Sequence, residues 1–298
     1  SSFDELKNAF AGQCMKFLAE SVEANSKTID RRFPRAFHFE SLLLSDCVRD
    51  CSDYINGGVR YRPQNHYLGG IATVVDSLAA IKKIVFEERR FPLRHFMEIV
   101  RNDFRDEPLL RHEILQDAPK FGNGDPSADQ LASEIGNMLL DTLYSFETPA
   151  RQIMLAGFYS LDQHHGWGRA LPATPDGRLG GEPVSENQSP VYGADKSGVT
   201  SLMKSVTCLP LSKTMMGGLN IKFGSPIRPE IIGDLLTTFF RSGGIHVGFS
   251  VADRKTLEAA AARPGNYRSL CVRMYGFSEY FTSLSPDEQT ELISRTEY

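Results

Sequence analysis

The sequence has no uninterrupted apolar stretch long enough to cross a bilayer and no run of lysine and arginine resembling a nucleic-acid-binding arm. It also lacks a phosphate-cradling glycine-lysine loop, a serine nucleophile elbow and a paired-histidine zinc motif. A formal charge of −4 over 298 residues gives no electrostatic case for nucleic acid or an anionic membrane. Cysteine is scarce. Five residues are too few, and odd in number, for a disulfide scaffold, so reduced thiols in a cytosolic compartment are expected. Cys47 and Cys51 stand four apart on an expected helix, but with no second pair beside them they read as structural thiols. His164 and His165 are adjacent, so one helix face is not expected to present both to a metal. Their neighbours Gly166, Trp167 and Gly168 suggest a packed loop. No metal and no bound organic cofactor is therefore expected. The start, SSFDELKNAF, is unlike a signal or transit peptide, and its missing initiator methionine hints at processing or a fragment.

What is present is an ordinary globular composition, 41% apolar and 23% charged, over a length that can bury a large core. Ser2 and Glu5 form an expected capping box for a first helix in which Leu6, Phe10, Phe17 and Leu18 recur at helical spacing. A second helical pattern runs through SLLLSDCVRDCSDYI to Gly57. A third places Ile71, Val74, Val75, Leu78, Ile81 and Val85 on one stripe, and a fourth runs from Leu131 to Tyr144. After a turn-rich stretch, GGLNIKF and GGIHVGFSVA alternate as strands do. Helical segments, RPEIIGDLLTTFFRS and DRKTLEAAAA, separate and follow them. Ser285, Pro286 and Glu288 announce a last helix. Strands alternating with helices, without a long linker, predict an α/β chain in one domain over 1–298.

One residue resists this pattern. Gly276 stands inside LCVRMYGFSEYF, a β-branched and aromatic stretch in which a glycine weakens a strand, and a bulge or sharp bend is the ordinary explanation.

The segment NYRSLCVRMYGFSEYF followed by LSPDEQTELISRTEY closely resembles the C-terminal radical segment of the glycyl radical enzymes, the superfamily of pyruvate formate-lyase and related dehydratases and eliminases. Val272, Arg273, Met274, Gly276, Phe277, Phe281, Arg295 and Thr296 occupy the motif's places, Met274 and Phe277 as mild departures. TPDGRLGGEPV, SPVYGADKSGVTSLMKSV, GGIHVGFSVADRKTLEAAAARP, PKFGN and NGGVRYR extend the resemblance in order over nearly the full chain.

The resemblance implies the second half of the family's α/β barrel, with helices around strands. The radical segment would occupy about 254–298, with Gly276 on a C-terminal loop inserted toward the centre. It implies that Gly276 stores a backbone radical, with Arg273, Tyr275 and Phe277 as loop neighbours. A radical α-carbon must flatten to delocalise into the flanking amides, and a Cβ would clash as it did so. A radical S-adenosylmethionine activating enzyme would remove the glycine hydrogen, and a thiyl radical on a nearby cysteine would then attack a small-molecule substrate. The family's thiyl cysteine lies further upstream than this sequence extends, which implies a partner chain or N-terminal half that bears it. Cys47, Cys208 and Cys271 each fit the thiyl role poorly. GFSEYF favours dehydratase or lyase chemistry, with acyl transfer to coenzyme A as the alternative. A non-catalytic spare part that restores a damaged glycyl radical enzyme is a further reading. Asn187 and Ser189, in the loop reaching Pro190, and Asn220 and His246 on the strands are candidates to line the substrate, though for each an ordinary turn or a satisfied interior polar group competes. A homo-oligomer is compatible with the family, and its oxygen sensitivity implies an anaerobic cytoplasm.

Overall fold

The computed structural model describes residues 2–29, 37–147, 152–274 and 276–298. It divides into two compact units, Ser1–His66 with Met138–Gly157, and Tyr67–Asn137 with Phe158–Tyr298.

In the first unit, helix α1 (Phe3–Ile29) begins at the expected capping box. The Ser2 N–H donates to Glu5 Oε2 at 2.9 Å, and the Glu5 N–H donates to Ser2 Oγ at 3.2 Å. Its apolar stripe is only partly covered: Leu18 and Val22 are buried, while Phe17 is exposed. The second expected helix is broken into α2 (His38–Leu42) and α3 (Ser45–Asp50). Leu44 is extended between them, and Cys51 turns into the left-handed region at φ +46°. Asp53 supplies a physical reason for the break. Its carboxylate accepts from the Phe37 N–H (2.6 Å), Ser41 Oγ (3.1 Å) and the Ile55 N–H (3.0 Å), which folds the segment back on itself. Strands β1 (Arg62–Tyr67) and β2 (Gln152–Phe158) are hydrogen-bonded neighbours.

The second unit opens with α4 (Ile71–Ile81), whose residues are almost all buried. The helix continues with widened turns over Lys82–Glu87, where the Glu88 N–H reaches back five residues to Lys83 O at 2.8 Å. Helices α5 (Leu93–Arg101), α6 (Pro108–Asp117) and α7 (Pro126–Tyr144) follow. The chain then runs through α8 (Gln163–Ala170), a long irregular segment, α9 (Val199–Val206) and the short β3 (Met216–Gly217). Both alternating segments form strands, β4 (Leu219–Phe223) and β5 (Val247–Val251), joined through α10 (Pro229–Arg241). They pair in parallel from Leu219↔Val247 to Phe223↔Val251, as a helical crossover requires. Beyond α11 (Arg254–Ala262), β6 (Cys271–Arg273) and β7 (Ser278–Tyr280) form an antiparallel hairpin, and α12 (Pro286–Ser294) closes the chain with its capping box intact.

Alternation in β4 does not separate an inner from an outer face, because Lys222 is as buried as Leu219 and Ile221. Its Nζ donates to the Leu292 and Ile293 carbonyls at 3.0 and 3.2 Å, in the last turn of α12, where unpaired carbonyls attract a cation. No helix among the described residues is long and apolar enough to cross a membrane.

Asp76 lies fully buried on α4, and its Oδ1 accepts the Phe121 N–H at 2.7 Å, tying the helix to the loop before α7. Burial drives its pKa up to about 7, against the opposing pull of Lys120 and of the Phe121 hydrogen bond. The folded chain therefore keeps this proton to higher pH than the unfolded chain. The associated stability is complete below about pH 4 and is lost as pH rises toward 7, on the order of 4 kcal/mol in all. Asp76→Asn retains the acceptor but cannot ionise. Urea unfolding across pH 5–8.5 is expected to show the variant gaining on the wild type as pH rises; parallel stability curves would refute the assignment.

Candidate active site: a glycine hairpin and a buried ionic cluster

The β6–β7 hairpin is firmly rooted. Val272 and Met274 are buried with Leu257, Ala260, Phe281, Leu284 and Leu292 in one apolar core, which explains how a methionine is accommodated in the motif. Ser250 on β5 brackets the next residue: its Oγ accepts the Arg273 N–H at 2.9 Å and donates to the Arg273 carbonyl at 3.2 Å. Arg273 Nη1 also reaches Ser278 Oγ across the hairpin at 3.3 Å. At the tip the Met274 N–H donates to Phe277 O (2.9 Å) and the Gly276 N–H to Met274 O (2.7 Å). Gly276 has φ +108°, a conformation that glycine alone adopts readily. A Cβ there would meet nothing within 4 Å among the described residues, so backbone conformation, rather than crowding, calls for glycine. Gly276 and Phe277 are exposed. Tyr275 lies outside the described residues.

Beneath α12 the polar residues converge. Arg295 is buried between Glu291, to whose Oε1 it donates, and Glu186, 3.1 Å away. Burial alone would raise the Glu291 pKa, but Arg295 and the His164 and His165 imidazoles hold it well below the ordinary range. Glu186 moves the other way: burial raises it, and Arg295 offsets only part of that cost. Of the two carboxylates beside the guanidinium, Glu186 is therefore the one that more readily keeps a proton. The Asn220 side-chain amide (3.0 Å) and Ser189 Oγ (3.2 Å) both donate to Glu186 Oε1. The backbone that carries Glu186 is fixed by reciprocal pairs. Thr73 and Ser185 exchange side-chain–backbone hydrogen bonds at 2.9 and 3.1 Å, while Asn187 and Ser160 do so at 2.9 and 3.2 Å. Asn187 occupies the left-handed region at φ +41°, which asparagine tolerates better than most residues. Further on, Asp195 accepts from Thr296 Oγ1 and the Tyr298 hydroxyl; burial, with Asp195 alongside, raises the Tyr298 pKa above its ordinary value.

Asn187, Ser189 and Asn220 thus share one buried network, each hydrogen-bonded within the protein. His246 stands apart: it is exposed, with its ring over Gly218. The two histidines require a correction. They form the first turn of α8 instead of a loop, their ring centroids lie 4.3 Å apart with the planes tilted by 38°, and both Nε2 atoms reach Glu291 Oε2, at 3.0 and 2.9 Å. One helix does present both to a common partner, because α12 brings its carboxylate to the side between the two rings. His164, His165 and Glu291 are also a group whose donor atoms lie within 4.8 Å of one another. The acidic members, Glu186 and Glu291, were missed from sequence. Glu291 is 127 positions from His164, and nothing local marks either carboxylate.

The profile described as pyruvate formate lyase-like matches residues 1–168, and the profile described as glycine radical matches 184–282, which includes Gly276. The chain belongs to the glycyl radical enzymes. It is 31% identical to the trans-4-hydroxy-L-proline dehydratase of Clostridioides difficile, over 99% of this chain and 38% of that protein. It is 33% identical to an isethionate sulfite-lyase of Desulfovibrio desulfuricans, over 100% of this chain and 37% of the relative. The solved structure of the glycerol-bound, B12-independent glycerol dehydratase from Clostridium butyricum superposes with a TM-score of 0.89 at 29% identity, covering 100% of this chain and 38% of that one. The chain therefore spans less than two-fifths of the length of these glycyl radical enzymes, and has the fold of the matching part.

Replacing Arg295 would leave two buried carboxylates without their cation. Arg295→Met is expected to cost roughly 3–5 kcal/mol at pH 7. In the wild type the lowered Glu291 pKa contributes stability above the unfolded carboxylate value; in the variant that pKa rises and the sign reverses. The loss should shrink as pH falls toward 5, as measured by denaturant unfolding; an equal loss at both pH values would count against the ionic assignment.

Proposed function

We propose that this chain is the radical-bearing portion of a glycyl radical dehydratase or lyase, and that Gly276 stores the radical. The observation that carries this reading is the hairpin: a rooted β6–β7 pair whose tip is a glycine at φ +108°, open to approach and within the glycine radical match. A partner activase of the radical S-adenosylmethionine iron–sulfur class removes one hydrogen atom from the Gly276 α-carbon. The α-carbon radical then takes a hydrogen atom from a cysteine thiol, leaving a thiyl radical that abstracts hydrogen from a small substrate. On product formation the hydrogen atoms return and the glycyl radical is restored.

The thiol is supplied from outside this chain, by a companion polypeptide or by further sequence of the same protein. Cys271 supports that view by its position. It pairs with Tyr280, two strand steps or roughly 7 Å below the Arg273–Ser278 pair that precedes the tip. Cys208 is occupied elsewhere, its Sγ directed at the Lys204 carbonyl on α9. Exposed Phe277 and Tyr280 flank the tip, and cover from the rest of the enzyme would bury them. The names of the relatives favour elimination or dehydration of a small substrate.

Electron paramagnetic resonance after anaerobic activation tests the assignment. A doublet from the remaining α-hydrogen is expected, and Gly276→Ala should abolish it. Persistence of the doublet in that variant would falsify the role of Gly276.

A further inference from the structure

The histidine pair and Glu291 take no part in the radical chemistry proposed above, yet they form a concentrated set of donors. We propose that His164, His165 and Glu291, with the Tyr192 phenol beside them, bind one divalent first-row transition-metal ion of the zinc or iron(II) class. No metal was expected from the sequence, because adjacent histidines were not expected to converge.

The distances carry the proposal. Glu291 Oε2 lies 3.0 Å from His164 Nε2 and 2.9 Å from His165 Nε2, and the Tyr192 hydroxyl is 3.0 Å from His164 Nε2. Two ligands at right angles, each about 2.1 Å from an ion, are separated by about 3.0 Å. Two of the three edges match a two-histidine, one-carboxylate face, and the three donor atoms all lie within 4.8 Å of one another. The outer contacts fit as well. His164 Nδ1 lies 3.0 Å from the Leu161 carbonyl, which can only accept. Nδ1 therefore holds a proton and Nε2 faces the site, the arrangement that orients metal-bound histidines. Arg295 occupies Glu291 Oε1 and so leaves Oε2 as the ligand atom.

Access exists, since His165, Tyr192 and Glu291 line a cleft of about 640 Å³, and the His165 side chain is 10% exposed. The ion would join α8 to α12, the helix that follows the radical hairpin, and so anchor the hairpin's C-terminal side.

Zinc and cobalt(II) are the probes, titrated calorimetrically into the purified, chelator-treated protein under reducing conditions. One ion per chain is expected, with binding that weakens as pH falls because the ligands must be deprotonated. Cobalt should give weak d–d absorption without the intense bands of thiolate ligation. His165→Ala and Glu291→Gln should each weaken binding by more than the roughly 10–100-fold that losing an outer-shell partner costs. Because Glu291→Gln disturbs the Arg295 pair, His165→Ala, at the cleft wall, keeps the test valid if the other variant fails to fold. Absence of binding by the folded protein, thiolate bands, or unchanged affinity in folded His165→Ala would overturn the proposal.

Discussion

Arg295 held between Glu186 and Glu291 is the constraint on which the rest of the C-terminal architecture depends. A guanidinium and two carboxylates withdrawn from water are costly unless each stays within reach of the others. That condition fixes α12 against the segment around Glu186 and against the start of α8. Once α12 is fixed, its last carbonyls receive Lys222 from β4, and the residues after it reach Asp195 through Thr296 and Tyr298. The backbone closes the arrangement: the Tyr298 N–H donates to Lys222 O at 3.0 Å, and the Gly224 N–H donates to Tyr298 O at 3.1 Å. The tail is therefore built into the β4 edge.

The same anchoring creates a contrast in the hairpin. Its root is locked by the core around Val272 and Met274 and by the Ser250 bracket, while a Cβ at Gly276, at its tip, would meet nothing within 4 Å among the described residues. The radical carbon proposed at Gly276 would need both properties. Placement must be reproducible because hydrogen transfer is short-ranged, and the carbon itself must be free to change shape. Gly276 combines them by standing one turn beyond the last strand pair.

Local chemistry made much of the fold legible. The two capping boxes, Ser2 with Glu5 and Ser285 with Glu288, each depend on residues three apart, and both formed as expected. The strands β4 and β5 and the helix between them followed from periodicity, and their parallel pairing came with the structure. Features decided over long separations were not legible. The break before α3 is made by Asp53 reaching back to Phe37, Lys222 is buried by carbonyls from α12, and the histidines meet a carboxylate from a distant helix. Gly276 was marked by its motif, whereas periodicity alone offered only a bend.

The construction of the tail bears on what damage does to such an enzyme. Oxygen attack at a glycyl radical cuts the backbone at that residue. Here the piece beyond Gly276 would still hold β7 against β6, Phe281 and Leu292 in the core, and Arg295 beside Glu186. The cut would leave a nick, with both pieces folded and joined without a covalent bond. Exchanging the damaged end for an intact one would first require pulling a buried ionic cluster apart.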